Sequence, residues 1–220
     1  MCIFVKLTGK YRIVQLNGKR FILYNQRCPA WTHPYAYQAD GGTLSSAGCG
    51  IFSLLHASQF LGGKPGTPEA LADFSCNCGG RGDDGTDRPA LLSAMQRQGL
   101  ARRLGFSYDF DGLRNDRDSL YRHLISGGAA LCNLRVGHIV ALIGARNAEG
   151  DRQVLAVDSY SESADPRVRD NVRECMPGSE IVSEVRNSSG LSCGIQQSNG
   201  IYWADLSAVR DFNLLHPIRP

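Results

Sequence analysis

The sequence predicts an α+β fold, with helices in the first half of the chain and a mainly antiparallel sheet in the second. Apolar residues recur at helical spacing after residue 49, whereas β-branched runs separated by turn residues follow from residue 130. A β-hairpin is expected before both, because the alternating runs YRIVQL and KRFILY flank Asn17-Gly18. We therefore expect a single domain over residues 1–220, made of a hairpin entry (1–24), a helical half (49–126) and a β-rich half (130–220) with a polar insert (161–200).

Four helices are predicted in the first half. The first begins at Cys49, because CGIFSLLHASQFLGG has apolar residues at helical spacing and ends in two glycines. The second follows Thr67, whose hydroxyl can cap it, with Pro68 in the first turn. The other two are expected over roughly 88–98 and 118–125. The glycine-rich run CNCGGRGDDGTD is expected to form a loop, as is the segment 25–48 with its turn formers and aromatic residues.

Three strands are predicted in the second half, with the sequences AALCNLRV, HIVALIGA and QVLAVDSY. A turn over 147–151 should join the second strand to the third. The run SNGIYWADLSAVRDFNLLHPI near the end of the chain predicts a final strand and a short helix.

Composition limits the classes of function. Hydrophobic residues make up 42% and charged residues 20%, as in folded globular proteins. The net charge of +3 is small and the arginines are scattered, so nucleic acid is not expected as a partner. No apolar run approaches the roughly 20 residues that span a bilayer, and the first residues lack the order of a signal peptide. We expect no membrane insertion, a cytoplasmic location or export without a visible leader, and no cofactor; the oligomeric state stays open.

Eight cysteines are many for a cytosolic protein, but their spacing is not that of a small disulfide scaffold. We expect reduced thiols, so that titration without reductant counts close to eight. The cysteines are residues 2, 28, 49, 76, 78, 132, 175 and 193.

Cys49 is the candidate nucleophile. A thiol reacts as the thiolate, and the dipole and unpaired N–H groups of a helix N-terminus lower its pKa. Gly48 and Gly50 flank the cysteine, which favours close approach of the backbone to a substrate. An isolated cysteine is more often a buried core residue. The position of Cys49 at the start of a predicted helix favours its interpretation as a nucleophile.

His138 is the candidate base. It follows Gly137 at the start of an apolar strand, where an imidazole is costly to bury without a partner. Asp158 ends the next strand, and a hairpin would bring its carboxylate beside the ring, where it would orient the base. The alternative is that Asp158 merely starts a turn.

The other histidines fit this role less well. His56 and His123 lie on predicted helices and are interpreted as core or partly exposed residues. His33 is the rival base, because it lies in the loop before Cys49, but the sequence offers it no evident carboxylate partner.

Two runs of the sequence together resemble a known family. The first run contains Asn25-Gln26, Trp31, Pro34-Tyr35, Thr43-Leu44 and Ala47-Gly48-Cys49-Gly50, followed by an apolar helix. The second contains Gly137-His138-Ile-Val-Ala-Leu-Ile-Gly and then Val-Leu-Ala-Val-Asp158. They resemble the bacteriocin-processing peptidase superfamily, the papain-like group related to double-glycine leader peptidases. The match covers roughly residues 22–63 and 130–160.

The resemblance implies a papain-like fold and a thiol protease that cleaves a peptide or protein substrate through a thioester. It makes Cys49 the nucleophile, His138 the general base and Asp158 the residue that orients the base. In this family a glutamine upstream of the cysteine donates to the oxyanion; Gln26 matches that position, and Gln38 is the alternative. The chain departs from the family at Ser159-Tyr160, where many relatives have a proline, and in the insert 161–200.

Other readings stay open. Removal of Met1 would leave Cys2 as the nucleophile of an N-terminal amidohydrolase. Cys76 and Cys78, with Cys28 or with Cys175 and Cys193, are a weaker hypothesis for a zinc site, because the Cys-x-Cys spacing is too short. A papain-like fold can also be kept for binding alone. Within the catalytic class, deamidation, transglutamination and acyl transfer share the thioester intermediate with hydrolysis.

Overall fold

The computed structural model describes residues 10–16, 19–134, 138–148, 150–160, 172–175 and 200–218. It is an α+β fold in which most helices precede a mainly antiparallel sheet. The helices are α1 (Leu44–Ala47), α2 (Cys49–Phe60), α3 (Pro68–Asn77), α4 (Arg88–Arg97), α5 (Leu100–Arg103) and α6 (Arg117–Ile125). The strands are β1 (Tyr11–Leu16), β2 (Lys19–Tyr24), β3 (Arg81–Gly82), β4 (Gly85–Thr86), β5 (Phe106–Ser107), β6 (Ala129–Leu134), β7 (Ile139–Ala148), β8 (Asp151–Val157), β9 (Val172–Cys175), β10 (Ile201–Asp205) and β11 (Val209–Pro217).

The longer helices begin where the sequence provides a capping side chain. The Thr67 hydroxyl accepts a hydrogen bond from the Ala70 N–H at the start of α3, and Asp87 and Asp116 cap α4 and α6 in the same way. Helix α2 ends as predicted, with Gly62 in the left-handed region at φ 79°. The short helices α1 and α5 are not predicted by the sequence, because each contains only four residues.

The described strands from β5 onward form a seven-stranded sheet in the order β5-β11-β6-β7-β8-β10-β9, and its paired strands are antiparallel. Strands β7 and β8 form the predicted hairpin, with Ala141 opposite Val157 and Ala148 opposite Asp151. The N-terminal hairpin is a separate two-stranded sheet with Leu16 opposite Lys19; its Asn17-Gly18 turn lies outside the described residues.

Two predictions about elements are wrong. The last part of the chain contains two strands, β10 and β11, joined by a single 3₁₀ turn at Leu206–Ala208, rather than one strand and a short helix. Strand β11 lies between β5 and β6, so its pairing depends on segments far away in the sequence. The glycine-rich loop after α3 contains a small hairpin, β3–β4. Of the polar insert, the structure describes the backbone of β9 and the residue Gly200.

The sheet is covered on both faces. Helix α2 packs with the N-terminal hairpin on the face that presents Leu131, Ala141 and Val157. Helix α6 packs on the opposite face, against the alternate residues of the same strands, such as Cys132 and Val140. Burial of these two apolar surfaces supplies the main stabilisation of the sheet.

Helix α2 is the central element of the fold. It is buried continuously from Gly50 to Ser58, rather than along one face as its apolar spacing predicts. Within the described ranges, no helix has the length and apolar character needed to cross a membrane.

Polar side chains of α2 anchor it to the neighbouring strands. The Ser53 hydroxyl donates to the Ile139 carbonyl at 2.9 Å, and His56 Nε2 accepts from the Tyr24 N–H at 3.0 Å. The Gln59 amide accepts from the Ile22 N–H at 2.9 Å and donates to the Ile22 carbonyl at 3.0 Å. These bonds fix the helix relative to the start of β7 and the end of β2, which lead to His138 and Gln26.

Candidate active site

Cys49 is the first residue of α2. Gly48 (φ −82°, ψ 8°) separates it from the short helix α1. The cysteine is partly exposed, unlike the nine buried residues that follow it along the helix. Cys49 therefore lies at the start of a helix, as predicted.

The glycines beside Cys49 have a different role from the one expected. A Cβ on Gly48 would lie 2.4 Å from the Leu44 carbonyl oxygen, and a Cβ on Gly50 would lie 2.4 Å from Thr86 Oγ1. Both glycines are buried, so they allow close internal packing of α1, α2 and the β3–β4 hairpin rather than exposing the backbone to a substrate.

The His138 ring lies between Cys49 and Asp158. Its Nε2 is 2.7 Å from Asp158 Oδ1, and the ring is near enough to the Cys49 side chain for the two groups to shift each other's pKa. Because Nε2 faces the carboxylate, Nδ1 is the nitrogen left for the thiol. The imidazole is only 2% exposed and the Asp158 carboxylate is fully buried.

The pairing of strands β7 and β8 explains why His138 and Asp158 meet. His138 directly precedes β7 and Asp158 directly follows β8, so the hairpin puts both side chains at one end. Strand β10 begins at the same end, where the Asp158 N–H donates to the Gly200 carbonyl at 2.7 Å.

Asp158 accepts hydrogen bonds at both carboxylate oxygens. Oδ1 accepts from the backbone N–H of Tyr160 at 2.8 Å in addition to His138, and Oδ2 accepts from the Tyr202 hydroxyl at 2.9 Å. Such donors stabilise the ionised carboxylate. Burial by itself would raise the pKa of Asp158, but the charge and hydrogen bond of His138, together with these donors, hold it below the ordinary value.

The electrostatics favour a charged thiolate–imidazolium pair. Burial alone would raise the pKa of the Cys49 thiol, but the hydrogen bond and charge of His138, and the N–H groups of Ile139 and Gly50, lower it below its ordinary value. Burial also works against the His138 cation, yet the charge and hydrogen bond of Asp158, followed by Cys49, hold the pKa of His138 well above its ordinary value. The two shifts both favour the form in which the imidazole holds the proton and the sulfur is anionic.

Gln26 is buried beside this group, one residue beyond Asn25 at the end of β2. Its Nε2 donates to the Ser45 carbonyl at 3.4 Å, and its Oε1 accepts from the Ser159 hydroxyl at 2.9 Å. Ser45 lies one helical turn before Cys49, so the carboxamide is held next to the start of α2. Gln38, the alternative donor, is exposed in a turn and has a φ of 53°.

The remaining histidines lie elsewhere. His33 Nε2 is 2.8 Å from Asp73 Oδ1, so the expectation that it lacks a carboxylate partner is wrong; the partner comes from α3 and was not evident in the sequence. His56 is a core residue, as interpreted, and burial lowers its pKa to about 3. His123 Nε2 is within 3.1 Å of the carbonyls of Ala129 and Leu215.

Sequence reasoning missed three residues of the site. Ser159 holds Gln26, Tyr160 stacks on His138 with ring centroids 4.2 Å apart, and Tyr202 holds Asp158. Ser159 and Tyr160 were visible only as a departure from the resembled family. Tyr202 had no signal at all, since it follows the polar insert.

Among the described residues, Cys49, Cys76, Cys78 and Cys132 are free thiols. Burial raises the pKa of Cys132 to about 12 and also raises the pKa of Cys76. No three metal-ligating side chains come together in the part of the chain that the structure describes. Cys2 and Cys193, on which two of the alternative hypotheses depend, lie outside the described residues, as does the side chain of Cys175.

Comparison of the chain with protein-family models, with curated protein sequences and with solved structures gave no match.

Proposed function

We propose that this chain is a cysteine-dependent hydrolase with a papain-like fold, which cleaves a peptide or amide bond through a thioester intermediate. The resemblance to the bacteriocin-processing peptidase superfamily is part of this proposal. The observation that carries it is the grouping of Cys49, His138 and Asp158 at the N-terminus of a buried helix, in which His138 is hydrogen-bonded to Asp158 and electrostatically coupled to Cys49.

The first half-reaction is the attack of the Cys49 thiolate on the carbonyl carbon of the substrate. The carbonyl oxygen becomes an oxyanion, and the second Nε2 proton of Gln26, which Ser45 does not use, is available to stabilise it. The His138 imidazolium then gives its proton to the leaving nitrogen as the C–N bond breaks. An amine departs and the acyl group stays on sulfur as a thioester.

The second half-reaction regenerates the enzyme. Neutral His138 takes a proton from water, whose oxygen attacks the thioester carbonyl, and the carboxylic acid leaves as the C–S bond breaks. Asp158 keeps the imidazole in one tautomer and orientation and stabilises its cationic form in both steps.

Other acyl acceptors would give other reactions from the same intermediate. With a glutamine side chain as the first substrate, ammonia leaves and the thioester gives deamidation when water attacks it or transglutamination when a lysine amine attacks it. Hydrolysis is preferred because water needs no acceptor site. A thiolate nucleophile requires a reduced cysteine, so we propose a reducing compartment such as the cytoplasm.

The test is a digest of a proteome-derived peptide library at pH 7, with new termini and converted side chains identified by mass spectrometry. We expect cleavage by the wild-type chain and a loss of about 10³-fold or more in Cys49→Ala and His138→Ala. Cys76→Ala is the matched control, because Cys76 is an exposed thiol with a raised pKa, and it should retain wild-type activity.

Iodoacetamide provides a second measurement that needs no substrate. At pH 7 it should alkylate Cys49 well ahead of Cys76, since the pKa shifts of the two thiols have opposite signs. Cleavage that survives in Cys49→Ala, or alkylation of Cys76 before Cys49, contradicts the proposal.

A further inference from the structure

Tyr160 lies against the ring of the proposed base. In the β7–β8 hairpin Ala141 pairs with Val157, and continuing that pairing for three residues brings His138 opposite Tyr160. The two rings are stacked, with centroids 4.2 Å apart and planes inclined by 24°. The contact therefore follows from the register of the hairpin.

Tyr160 is itself held at two points. Its backbone N–H donates to Asp158 Oδ1 at 2.8 Å. The guanidinium of Arg27 lies over its ring, 4.4 Å from the centroid, in a cation–π contact. Arg27 is exposed, and its guanidinium forms no ion pair with a carboxylate of the described residues. Its contact with the Tyr160 ring therefore does not compete with such an ion pair.

The stacked Tyr160 ring restrains the orientation of the His138 imidazole. Rotation of the imidazole out of its plane would break the hydrogen bond to Asp158 and move the ring away from Cys49. A second ring stacked on it at van der Waals distance blocks that rotation. It also excludes water from a charged hydrogen bond that weakens when solvated.

Resting on the proposed function, we propose that Tyr160 is a positioning residue, which locks the His138 ring between Cys49 and Asp158, and that Arg27 holds Tyr160 in place. Neither Tyr160 nor Arg27 is among the catalytic residues that the resemblance implies, which are Cys49, His138, Asp158 and Gln26. Tyr160 lies near the position where many members of the resembled family have a proline. Tyr160 does not touch the reacting atoms in this proposal; it acts through the imidazole.

The test is an NMR titration of the His138 imidazole nitrogens in the full-length chain. In the wild type the ring should stay protonated well above its ordinary range, as the charge of Asp158 requires. Tyr160→Ala should lower the imidazolium-to-imidazole ratio at a fixed alkaline pH by roughly tenfold, because water then screens the carboxylate. Tyr160→Phe keeps the stacked ring and should titrate like the wild type.

Three further variants complete the design. Arg27→Ala should shift the titration in the same direction but less, whereas Arg27→Lys keeps a cation and should shift it least. Tyr160→Leu keeps apolar volume without a planar ring, and it replaces Tyr160→Ala if the alanine variant does not fold.

A folded Tyr160→Ala or Tyr160→Leu variant whose His138 titrates like the wild type would overturn the positioning role. This outcome is distinct from failure of the proposed function, which is read from peptide cleavage and from alkylation of Cys49 in the wild type.

Discussion

At the scale of single residues, the hydroxyl of Ser159 determines how the Gln26 carboxamide is oriented. It donates to Oε1 at 2.9 Å, while the Ser159 carbonyl accepts from the Gln26 backbone N–H, also at 2.9 Å. A carboxamide whose oxygen is occupied in this way must present its NH₂ group in the other direction, toward Ser45 and the start of α2. The carboxamide is thereby preorganised as a donor, and this is where oxyanion stabilisation is most effective.

A double-mutant cycle tests this arrangement. Gln26→Ala should lower kcat by roughly 10²–10³-fold with little change in KM, because an oxyanion donor acts in the transition state. Ser159→Ala should lower kcat less, and adding it to Gln26→Ala should cause no further loss. Gln38→Ala is the matched control, since Gln38 is exposed, and it should leave kcat unchanged. Additive losses of kcat from the Gln26 and Ser159 substitutions, or a large loss from Gln38→Ala, would show that the assignment of Gln26 as the oxyanion donor is wrong.

At the scale of elements, the start of α2 is packed against the β3–β4 hairpin without space for a side chain. The Thr86 hydroxyl is 2.8 Å from the Tyr35 hydroxyl, which in turn is 3.0 Å from Ser75 Oγ, so Thr86 is held by a buried polar network. Thr86 therefore cannot move away easily from Gly50. Burial, as the largest cause, raises the pKa of Tyr35 to about 12, and this hydroxyl stays neutral near the Cys49 thiolate.

Gly50→Ala should consequently disturb both stability and the nucleophile. The new methyl would meet Thr86 Oγ1 at 2.4 Å and its Cβ at 2.5 Å, and such overpacking costs about 1–3 kcal/mol of unfolding free energy. Urea unfolding monitored by circular dichroism measures this cost, and iodoacetamide reactivity should show slower labelling of Cys49.

Gly66→Ala is the matched control for this substitution. No atom lies within 4 Å of the position that its Cβ would take, so its unfolding free energy should stay within about 1 kcal/mol of the wild type. Equal stabilities of the Gly50 and Gly66 variants would show that the contact between α2 and the hairpin is not tight.

At the scale of the whole molecule, four titratable groups, Asp158, His138, His56 and Cys49, set the dependence of stability on pH. The pKa of Asp158 is lowered on folding, so its contribution is present above its unfolded pKa and is lost as the pH falls through the folded value. The pKa of His138 is raised, so its contribution is complete below its unfolded pKa and is lost as the pH rises through the folded value. His56 is buried in neutral form, and its pKa falls from 6.5 to about 3.

The pKa of Cys49 is lowered on folding, so the unfolded thiol keeps a proton up to its ordinary pKa of 9.0 that the folded chain has released, and this offsets the effect of His138 above pH 6.5. We therefore predict that the unfolding free energy is greatest at about pH 8. Below pH 6.5 the unfolded chain binds a proton at His56 that the folded chain rejects, at a cost on the order of 4 kcal/mol by pH 3. Above the maximum, the loss of the His138 proton weakens the pair with Asp158. Urea titrations between pH 4 and 10 measure both limbs.

Variants separate the two limbs of this profile. His56→Gln keeps an acceptor for the Tyr24 N–H but does not titrate, so it should flatten the acid limb and leave the alkaline limb unchanged. Asp158→Asn removes the charge that raises the pKa of His138 and should flatten the alkaline limb. An acid limb that persists in His56→Gln with its full slope would show that His56 is not its source.

Local patterns in the sequence were enough to predict the α+β class, the N-terminal hairpin, the four longer helices and the β7–β8 hairpin. Each depends on periodicity, a capping residue or a turn over a few neighbouring residues, such as Thr67 at the start of α3. The proximity of His138 to Asp158 could be predicted for the same reason, because one short turn joins their strands.

Only the tertiary structure decided the features that depend on distant segments. The insertion of β11 between β5 and β6, the pairing of His33 with Asp73, and the bond from Tyr202 to Asp158 join residues that are tens of positions apart. The contacts of Ser159 and Tyr160 also arise from how the strand ends meet the loop after β2. No local pattern records such contacts, because they are formed when the whole chain buries its apolar surface around α2.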